Sequence, residues 1–398
     1  MPGPGPQPRD GTGGRLEGRP LLNRPVEEQD PPPAGSVDIE PTGHPTARRW
    51  FGAPFVTVSL VAVGACLTAL ATWSVLRADT RPAPAVASSA DESPAAETEN
   101  VLAFPDGYFQ AVPRDFIEAI VDPQFLSADD AEWPTDADVI GVEIGGDARA
   151  YPVGVLTARE MVVDTIGGEP VLVTWCPICG TAMAHSRIVG GEVATFGVQG
   201  GLFRNAMTWY DHRTGSVWSQ PLGRAIAGPL EGETVELLAS TLTTWDAWRE
   251  ANPHTLALDA PGTATGFDLA NLLIVVDIDG EVRGYPVTKL REQGVVNETV
   301  GGLPIAVISD PANQNRQVVY ARQAGSSTVE LAADGERLVD TATGSTFDPV
   351  TGLGLDGPLA TQMLTRIPSI TVEPGFGPGR TPKFTTLWPE GTVWWPPR

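Results

Sequence analysis

Lysine is nearly absent from this sequence: only Lys289 and Lys383 occur among 26 basic residues, which stand against 49 acidic ones. The formal net charge is -23. Because a phosphate backbone is bound through clustered lysine and arginine, this balance excludes nucleic acid as the expected partner. Cysteine is scarce too, and three cysteines in 398 residues exclude a disulfide-stabilised scaffold.

Motifs of the common enzyme classes are missing as well. The sequence contains no G-x-S-x-G nucleophile elbow, no H-E-x-x-H zinc motif and no Walker loop, which argues against the usual hydrolases and nucleotide-dependent enzymes. Apolar residues, by contrast, make up 41% of the chain and include 11 tryptophans. This length and composition predict two or three domains with substantial hydrophobic cores.

Three segments precede the predicted folded region. Residues 1–50 are rich in proline, glycine and charge, and are predicted to be a disordered cytoplasmic tail. No charged residue occurs from Phe51 to Leu76, and a helix of that length at ~1.5 Å per residue exceeds the ~30 Å hydrocarbon core of a bilayer. We therefore expect a transmembrane helix over 51–76, with a cleaved secretory signal as the alternative. Residues 77–100 are predicted to be a linker.

The cell membrane is thus the partner expected for Phe51 to Leu76. No second apolar span follows, and arginines directly before the span slightly favour a cytoplasmic N-terminus. The sequence predicts a single-pass protein with an extracytoplasmic C-terminal region. It does not specify a small-molecule or cell-envelope partner for that region.

The C-terminal region contains an internal repeat. Residues 139–177 align with residues 273–311 at a constant offset of 134, so that Tyr151-Pro152 falls on Tyr285-Pro286. We expect a first repeat over 101–259 and a degenerate second repeat over 260–398. Alternating Val and Ile runs separated by Gly-Gly turns predict β-hairpins, and Thr244 to Asn252 predicts a helix. The predicted class is α+β, predominantly antiparallel β, built as a duplicated β-rich unit after a single transmembrane helix.

One strong local motif, Cys176-Pro177-Ile178-Cys179-Gly180, follows a predicted strand of the first repeat. A turn of this kind is typical of a metal knuckle or a reversible disulfide. The second repeat has Asp310-Pro311-Ala312-Asn313 at the same place, so the turn forms without sulfur. A structural disulfide or two small buried side chains are the alternatives.

A metal site requires further ligands beside Cys176 and Cys179. His185 lies on the predicted next strand and His212 precedes a hairpin turn, so either could complete a soft site for zinc or copper. Each histidine could equally be an ordinary surface or core residue. Residues 181–191 are predicted to be a strand entering a turn, so the helix N-terminus that activates thiols in thioredoxin-type sites is not expected.

Less specific candidates follow the cysteine pair. Residues 197–205 are glycine-rich and are predicted to be a flexible loop, where Arg204 and Asn205 could bind an anionic or polar ligand. Asp211 beside His212 could act as an acid–base pair. Tryptophans concentrated in the first repeat suit an apolar ligand cleft, although core packing explains them more simply.

Five segments of the first repeat resemble, in order, the domain-of-unknown-function family 3179 of membrane-anchored or secreted prokaryotic proteins: GVEIGGDARAYPV, VDTIGGEPVLVTWCPICGTA, TFGVQGGLFRN, YDHRTGSVWSQ and AIAGPL. The resemblance covers most of 101–398 and implies no established activity. The positions carried over from the family pattern are Cys176, Cys179, Arg204, Asn205, Tyr210 and Asp211. The family commonly has His where this chain has Arg159, and Phe-Asp-Arg where it has His185-Ser186-Arg187.

Two hypotheses follow. The first is an anchored extracytoplasmic protein whose Cys176 and Cys179 bind a soft metal or cycle as a dithiol. The second is a non-catalytic ligand-binding or interaction module of the cell envelope with a structural cysteine pair.

Overall fold

The structure is a computed structural model that describes residues 102–375 and 383–397. Within these residues, no helix is long and apolar enough to cross a membrane. The predicted tail, membrane span and linker over residues 1–100 lie outside the described residues. The described chain belongs to one compact unit over Ala95–Arg398 and consists mainly of antiparallel and mixed β-sheets with few helices.

Strands of the first repeat alternate with short turns. They are β1 Tyr108–Gln110, β2 Ile120–Val121, β3 Phe125–Ser127, β4 Asp138–Ile144, β5 Asp147–Pro152, β6 Met161–Ile166, β7 Glu169–Cys176, β8 Thr181–Ser186, β9 Ile188–Val189, β10 Glu192–Val193, β11 Phe196–Phe203, β12 Ala206–Asp211, β13 Val217–Ser219, β14 Arg224–Ala227, β15 Leu237–Leu238, β16 Ser240–Thr244 and β17 Leu256–Leu258. Two helices accompany them: α1 Val153–Arg159 and α2 Trp245–Ala251.

Strands of the second repeat follow a 3₁₀ turn at Leu269–Asn271. They are β18 Leu273–Ile278, β19 Glu281–Pro286, β20 Val295–Val300, β21 Leu303–Ser309, β22 Gln317–Ala321, β23 Gln323–Ala324, β24 Ser327–Thr328, β25 Leu331–Asp334, β26 Arg337–Asp340, β27 Thr346–Phe347, β28 Gly354–Asp356, β29 Ile370–Val372 and β30 Thr392–Val393. The helices are α3 Val287–Gln293 and α4 Phe384–Leu387.

The equivalent strands pair in the same order in both repeats, and the sheets of the first repeat have additional edge strands. The order β16-β4-β5-β17 corresponds to β29-β18-β19-β30, and β8-β7-β6 corresponds to β22-β21-β20. The order β11-β12-β13-β14 corresponds to β25-β26-β27-β28, and the hairpin β9-β10 to β23-β24. The additional strands of the first-repeat sheets are β1, β2, β3 and β15. Register is kept as well, since Ile140 lies opposite Tyr151 as Ile274 lies opposite Tyr285.

The predicted hairpins occur where the glycine pairs stand. Gly145-Gly146 joins β4 to β5 with φ of 61° and 87°, and Gly167-Gly168 joins β6 to β7 with φ of 57° and 89°. Two successive positive φ angles suit the two-residue hairpin turns whose twist matches that of the strands, which is why glycine is used.

The largest apolar cluster joins the two repeats. Buried side chains of the first repeat, such as Ile140 and Trp175, belong to the same cluster as Ile274 and Tyr285 of the second. Because burial of apolar surface is the main stabilising contribution to folding, neither repeat keeps its full core without the other.

Two predictions of local structure need correction or completion. Residues 197–205 are not a flexible loop: residues 197–203 belong to β11 and 204–205 form the turn to β12. Gly200 (φ +73°) lies where the register shifts between Val198 and Leu202. The glycines permit this β-bulge. The helix predicted at Thr244 to Asn252 is confirmed as α2, but the Thr244 hydroxyl bonds to the Asp246 carboxylate instead of a backbone N–H.

Candidate functional site

The cysteine motif forms the turn between β7 and β8. Cys176 is the last residue of β7, and its carbonyl accepts a hydrogen bond from Gly180 N at 2.9 Å. Gly180 has φ of +64°, a conformation that glycine adopts without cost. Both cysteine side chains are fully buried, whereas Ile178 at the tip of the turn is 46% exposed. The turn therefore places two free thiols directly beneath an exposed tip.

The two thiols have opposite acid–base properties. Burial alone would raise the pKa of Cys176, but hydrogen bonds from the Cys179 side chain and from backbone N–H groups of Met207 and Cys179 outweigh it and lower that pKa. Burial raises the pKa of Cys179 well above its ordinary value, and the neighbouring Cys176 raises it further. Cys176 is thus the sulfur prepared to be a thiolate, and Cys179 the one kept protonated.

A chain of buried polar groups supports the pair. Cys179 Sγ and Thr181 Oγ1 are 3.0 Å apart, and Thr181 Oγ1 donates to Gln220 Oε1 at 2.6 Å. Gln220 Nε2 donates to Thr174 Oγ1 at 3.1 Å. Because each of these side chains is buried, this series of hydrogen bonds fixes their rotamers. Gln220 ends the segment YDHRTGSVWSQ, yet the sequence alone did not single it out.

Glu160 is a second residue that sequence reasoning missed. It ends α1 in a left-handed conformation with φ of +59°, and its carbonyl accepts a hydrogen bond from Trp175 N at 2.9 Å, next to Cys176. Burial raises the pKa of Glu160 to about 7, and its charge acts on Cys176. Comparison of the repeats marks this position as unusual, because the equivalent residue of the second repeat is Gly294, which has a φ of +76°.

The second repeat forms one wall of the site. Glu373 N donates to the Cys179 carbonyl at 3.0 Å, and Thr371 Oγ1 donates to the Gly180 carbonyl at 3.1 Å. The Lys383 ammonium group donates to the Ile178 carbonyl. The apolar cluster around the sulfurs includes Met183 and Met207 of the first repeat and Leu273, Val275, Ile370, Val372 and Phe384 of the second. The pair therefore lies between the two repeats.

The histidines lie in different surroundings. His185 is buried on β8 against the Trp209 ring, with centroids 5.1 Å apart, and burial lowers its pKa to about 3. Its Nδ1 has no hydrogen-bond partner among the described residues. His212 is exposed and packs beside the Tyr210 ring. In the part of the chain that the structure describes, no three His, Cys, Asp or Glu side chains are grouped so as to hold a metal ion.

Candidates from the β11–β12 hairpin do not converge. Arg204 and Asn205 form its two-residue turn, with φ of 52° and 64°, and Arg204 Nη1 donates to the Leu387 carbonyl at 3.2 Å. The Tyr210 hydroxyl bonds to Asp115, and the Arg114 guanidinium lies 4.0 Å from the Tyr210 ring centroid. The Arg204 and Tyr210 side chains are thus engaged in contacts within the fold, and Asn205 is exposed at the turn.

Asp211 is the buried last residue of β12, where the turn to β13 begins. It accepts hydrogen bonds from Thr214 N at 2.6 Å and from Trp218 Nε1 at 3.1 Å. Asp340 of the second repeat accepts from Thr343 N at 3.0 Å in the same way. Since both repeats keep this arrangement, Asp211 stabilises the turn. The first-repeat tryptophans are likewise core residues, with Trp175, Trp209 and Trp218 fully buried.

Comparison with known protein families identifies two copies of one domain, in agreement with the internal repeat. No curated protein and no solved structure matches the chain. A family profile described as protein of unknown function (DUF3179) matches residues 114–268 and again residues 260–385. Since these two matches together span well over half of the sequence, the chain belongs to that family.

Proposed function

We propose that this protein is a thiol–disulfide exchange protein, in which Cys176 and Cys179 alternate between a dithiol and an intramolecular disulfide. The observation that supports it is the geometry of the turn, which holds two free, fully buried thiols three positions apart, with Thr181 Oγ1 3.0 Å from Cys179 Sγ. Hydrogen bonding outweighs burial and lowers the pKa of Cys176, whereas burial raises that of Cys179. An attacking thiol must be a thiolate near ambient pH, and its partner must stay protonated until the second step.

The exchange proceeds in two steps. Cys176 gives its proton to the neighbouring Glu160 carboxylate, and the Cys176 thiolate attacks one sulfur of a partner disulfide, whose S–S bond breaks. The first partner thiolate leaves and takes the proton from Glu160. Cys179 then attacks Cys176 Sγ and expels the second partner sulfur, which takes the proton that Cys179 loses. Two electrons pass from the cysteine pair to the partner, and the reverse sequence oxidises the partner.

Glu160 suits this proton transfer. Burial raises its pKa to about 7, so it can accept and release a proton near neutral pH. Its negative charge opposes the lowering of the pKa of Cys176, so the two groups interact electrostatically. A residue with positive φ costs free energy unless it is glycine, and the second repeat has Gly294 there. The carboxyl group is thus retained at a position where the fold favours glycine.

Access to the sulfurs requires movement of the turn. Both side chains are fully buried, and Ile178 is the exposed residue above them. Contacts from Lys383 and Glu373 hold the turn in place. We expect a partner disulfide to reach Cys176 when these contacts open, so exchange is slower than at an exposed thiolate.

A redox titration of the full chain in detergent tests the proposal. Cys66→Ser removes the third thiol, so that alkylation counts only the pair. In glutathione buffers we expect one two-electron transition between about -120 and -270 mV. A pair that stays oxidised below about -300 mV would be a structural disulfide, and a pair that never oxidises would also contradict exchange. Either result favours the non-catalytic envelope module.

Matched single variants test the assignment of the two thiols. In Cys179→Ser, which keeps a hydroxyl donor, Cys176 should still react with iodoacetamide near neutral pH. In Cys176→Ser, Cys179 should react only at alkaline pH, because burial raises its pKa. Equal reactivity of the two thiols would contradict the proposed roles.

Monovalent copper is a second candidate, supported by the sulfur content of the site. Met183 and Met207 belong to the same buried cluster as Cys176 and Cys179. Thiolate and thioether sulfurs are soft ligands that favour Cu(I) over zinc. A chelator competition with Cu(I) distinguishes this candidate: binding that requires both cysteines would support it, and binding unchanged in Cys176→Ser would contradict it.

We also propose that residues 51–76 anchor the protein in the cell membrane, with the N-terminus in the cytoplasm. The uncharged composition of this segment supports the proposal. Carbonate extraction and protease treatment of intact cells test it. Release of the chain by carbonate, or protection of the C-terminal region from external protease, would contradict it.

A further inference from the structure

A cavity of about 510 Å³ lies between the two repeats, away from the cysteine pair. Its wall includes Glu143, Thr241 and Trp248 of the first repeat, and Arg316, Tyr320 and Arg366 of the second. A volume of this size falls within the range of about 300–1,000 Å³ that is typical of small-molecule sites.

The repeat supplies a matched cavity for comparison. Tyr320 lies opposite Ala306 as His185 lies opposite Leu172, and His185 lines a smaller cavity of about 210 Å³. Further along the chain, residues 215–230 align with residues 344–359 at an offset of 129. The same offset makes Arg366 equivalent to Leu237, and Arg366 pairs with Tyr320 as Leu237 pairs with His185. Leu237 lines the smaller cavity. The fold therefore accepts leucine at this place, and the arginine is not required to build it.

Arg366 is a guanidinium without a carboxylate partner. It donates a hydrogen bond to the Thr241 hydroxyl, and among the described residues no carboxylate lies within ion-pair distance of it. Burial lowers the pKa of Arg366, and the neighbouring charge of Arg316 adds to this, despite Tyr320 and Glu143. Glu143 lies in the same wall but beyond ion-pair distance, so this partly buried charge has no close counter-ion among the described residues. Such a charge is costly, and a bound anion would offset the cost.

Arg316 is neutralised within the fold and does not compete for that anion. Its Nε donates to Asp310 Oδ2 at 2.6 Å, and its Nη1 donates to the Ala247 carbonyl at 2.6 Å. Its carboxylate partner, Asp310, is fully buried. Of the two arginines in the cavity wall, Arg366 is the one whose charge remains to be paired.

The remaining wall is mixed apolar and polar. Trp248, Val318 and Leu364 supply apolar surface. A guanidinium binds a carboxylate through two parallel N–H···O bonds. We propose that this cavity binds a small organic carboxylate, with Arg366 holding the carboxylate and the apolar wall holding the body of the ligand.

Binding of benzoate to the full chain in detergent, measured by calorimetry, tests the proposal. Benzyl alcohol is the neutral probe of similar shape, and inorganic phosphate is the anion without an apolar body. We expect benzoate to bind with a Kd below about 1 mM, and at least tenfold more tightly than either alternative. Failure of benzoate to bind, or equal binding of benzyl alcohol or phosphate, would overturn the proposal.

Arg366→Leu introduces the side chain that the equivalent position carries. It should weaken benzoate binding at least tenfold without lowering the melting temperature of the unliganded protein, because it removes an unpaired charge. Arg213→Leu, which removes an exposed arginine paired with Glu192, is the control of equal net charge and should bind benzoate normally. Unchanged binding by Arg366→Leu, or a melting temperature several degrees lower, would show that Arg366 is structural instead.

Discussion

The two repeats build the same turn around different chemistry. In the first, Cys176 ends the strand and Thr181 lies opposite it. In the second, Asp310 follows β21 and its N–H donates to the Arg316 carbonyl at 3.0 Å, which makes Arg316 the counterpart of Thr181. The first turn is held by thiols and neutral polar side chains, and the second by a buried ion pair.

This difference shows which side chains the turn requires in order to form, and which are available for a function. Both turns close the same strand pair, and both contact the other repeat: Gly180 through Thr371, and Asn315 through a hydrogen bond from Thr243 at 2.9 Å. Sulfur is therefore not required for the turn or for its contact with the opposite repeat. The cysteine pair is therefore available for a chemical role other than forming the turn.

The largest effect is expected from breaking the ion pair of the second turn. Asp310→Ala leaves the Arg316 guanidinium buried without its carboxylate, and removing one partner of a buried pair costs about 3–5 kcal/mol. Urea unfolding should show this loss in the free energy of unfolding. Cys176→Ala, at the equivalent position, should cost less than half as much.

Glu192→Ala serves as the control for loss of an ion pair at the surface. Its partner Arg213 is exposed, so the variant should lose no more than about 1 kcal/mol. If Asp310→Ala and Cys176→Ala destabilise the protein equally, the two turns depend on their side chains to the same extent, and the contrast between them is wrong.

A smaller but symmetric effect is expected from the hairpin glycines. Gly167 and Gly301 have φ of 57° and 55°, and a Cβ on either would meet a backbone carbonyl, of Ile144 and Ile278 respectively. We expect Gly167→Ala and Gly301→Ala each to cost about 2–3 kcal/mol, because strain adds to the conformational penalty. Urea unfolding measures both.

Their neighbours provide the matched controls. Gly168 and Gly302 also have positive φ, but a Cβ on either would meet no atom within 4 Å. Gly168→Ala and Gly302→Ala should therefore cost only about 1–2 kcal/mol. A large difference between the repeats at these positions would show that their hairpins are not equivalent.

How far the sequence predicts this structure depends on the range of the interactions involved. The Gly-Gly turns, the strand before Cys176 and the helix at Trp245 follow from local patterns, and all are confirmed. The strand at Phe196–Phe203 was missed because its glycines read as a loop, whereas they accommodate a bulge. Hydrogen-bonded pairing with neighbouring strands determines that this segment is a strand, and a local sequence pattern does not contain that information.

The site shows the same limit. The cysteine pair was evident from its motif, but Glu160 and Gln220 reach it through the fold. Glu160 is placed by the hydrogen bond that its carbonyl accepts from Trp175 N, and Gln220 by the hydrogen bond that it accepts from Thr181. Long-range contacts of this kind leave no spacing signal, although the pairing of Glu160 with Gly294 in the repeat did mark an unusual position.

The smallest expected effect concerns the difference between Glu160 and Gly294, and it depends on pH. Burial raises the pKa of Glu160 from 4.5 in the unfolded chain to about 7 in the folded protein. The folded protein therefore binds the proton more tightly, so the stabilisation is complete below pH 4.5 and is lost as the pH rises through 7. Glu160→Gln should match the wild type at pH 4 and be about 1–2 kcal/mol more stable at pH 8.

Glu160→Gly separates this charge effect from backbone strain. It installs the residue of the second repeat, so it should share the pH-dependent gain of Glu160→Gln and relieve in addition the strain of φ +59° by about 1 kcal/mol at every pH. Urea unfolding at pH 4, 6 and 8 resolves the two contributions. A wild-type protein whose stability relative to Glu160→Gln does not change between pH 4 and 8 would mean that the carboxyl group is hydrated in the folded state, and Glu160 would lose its role as the proton acceptor beside Cys176.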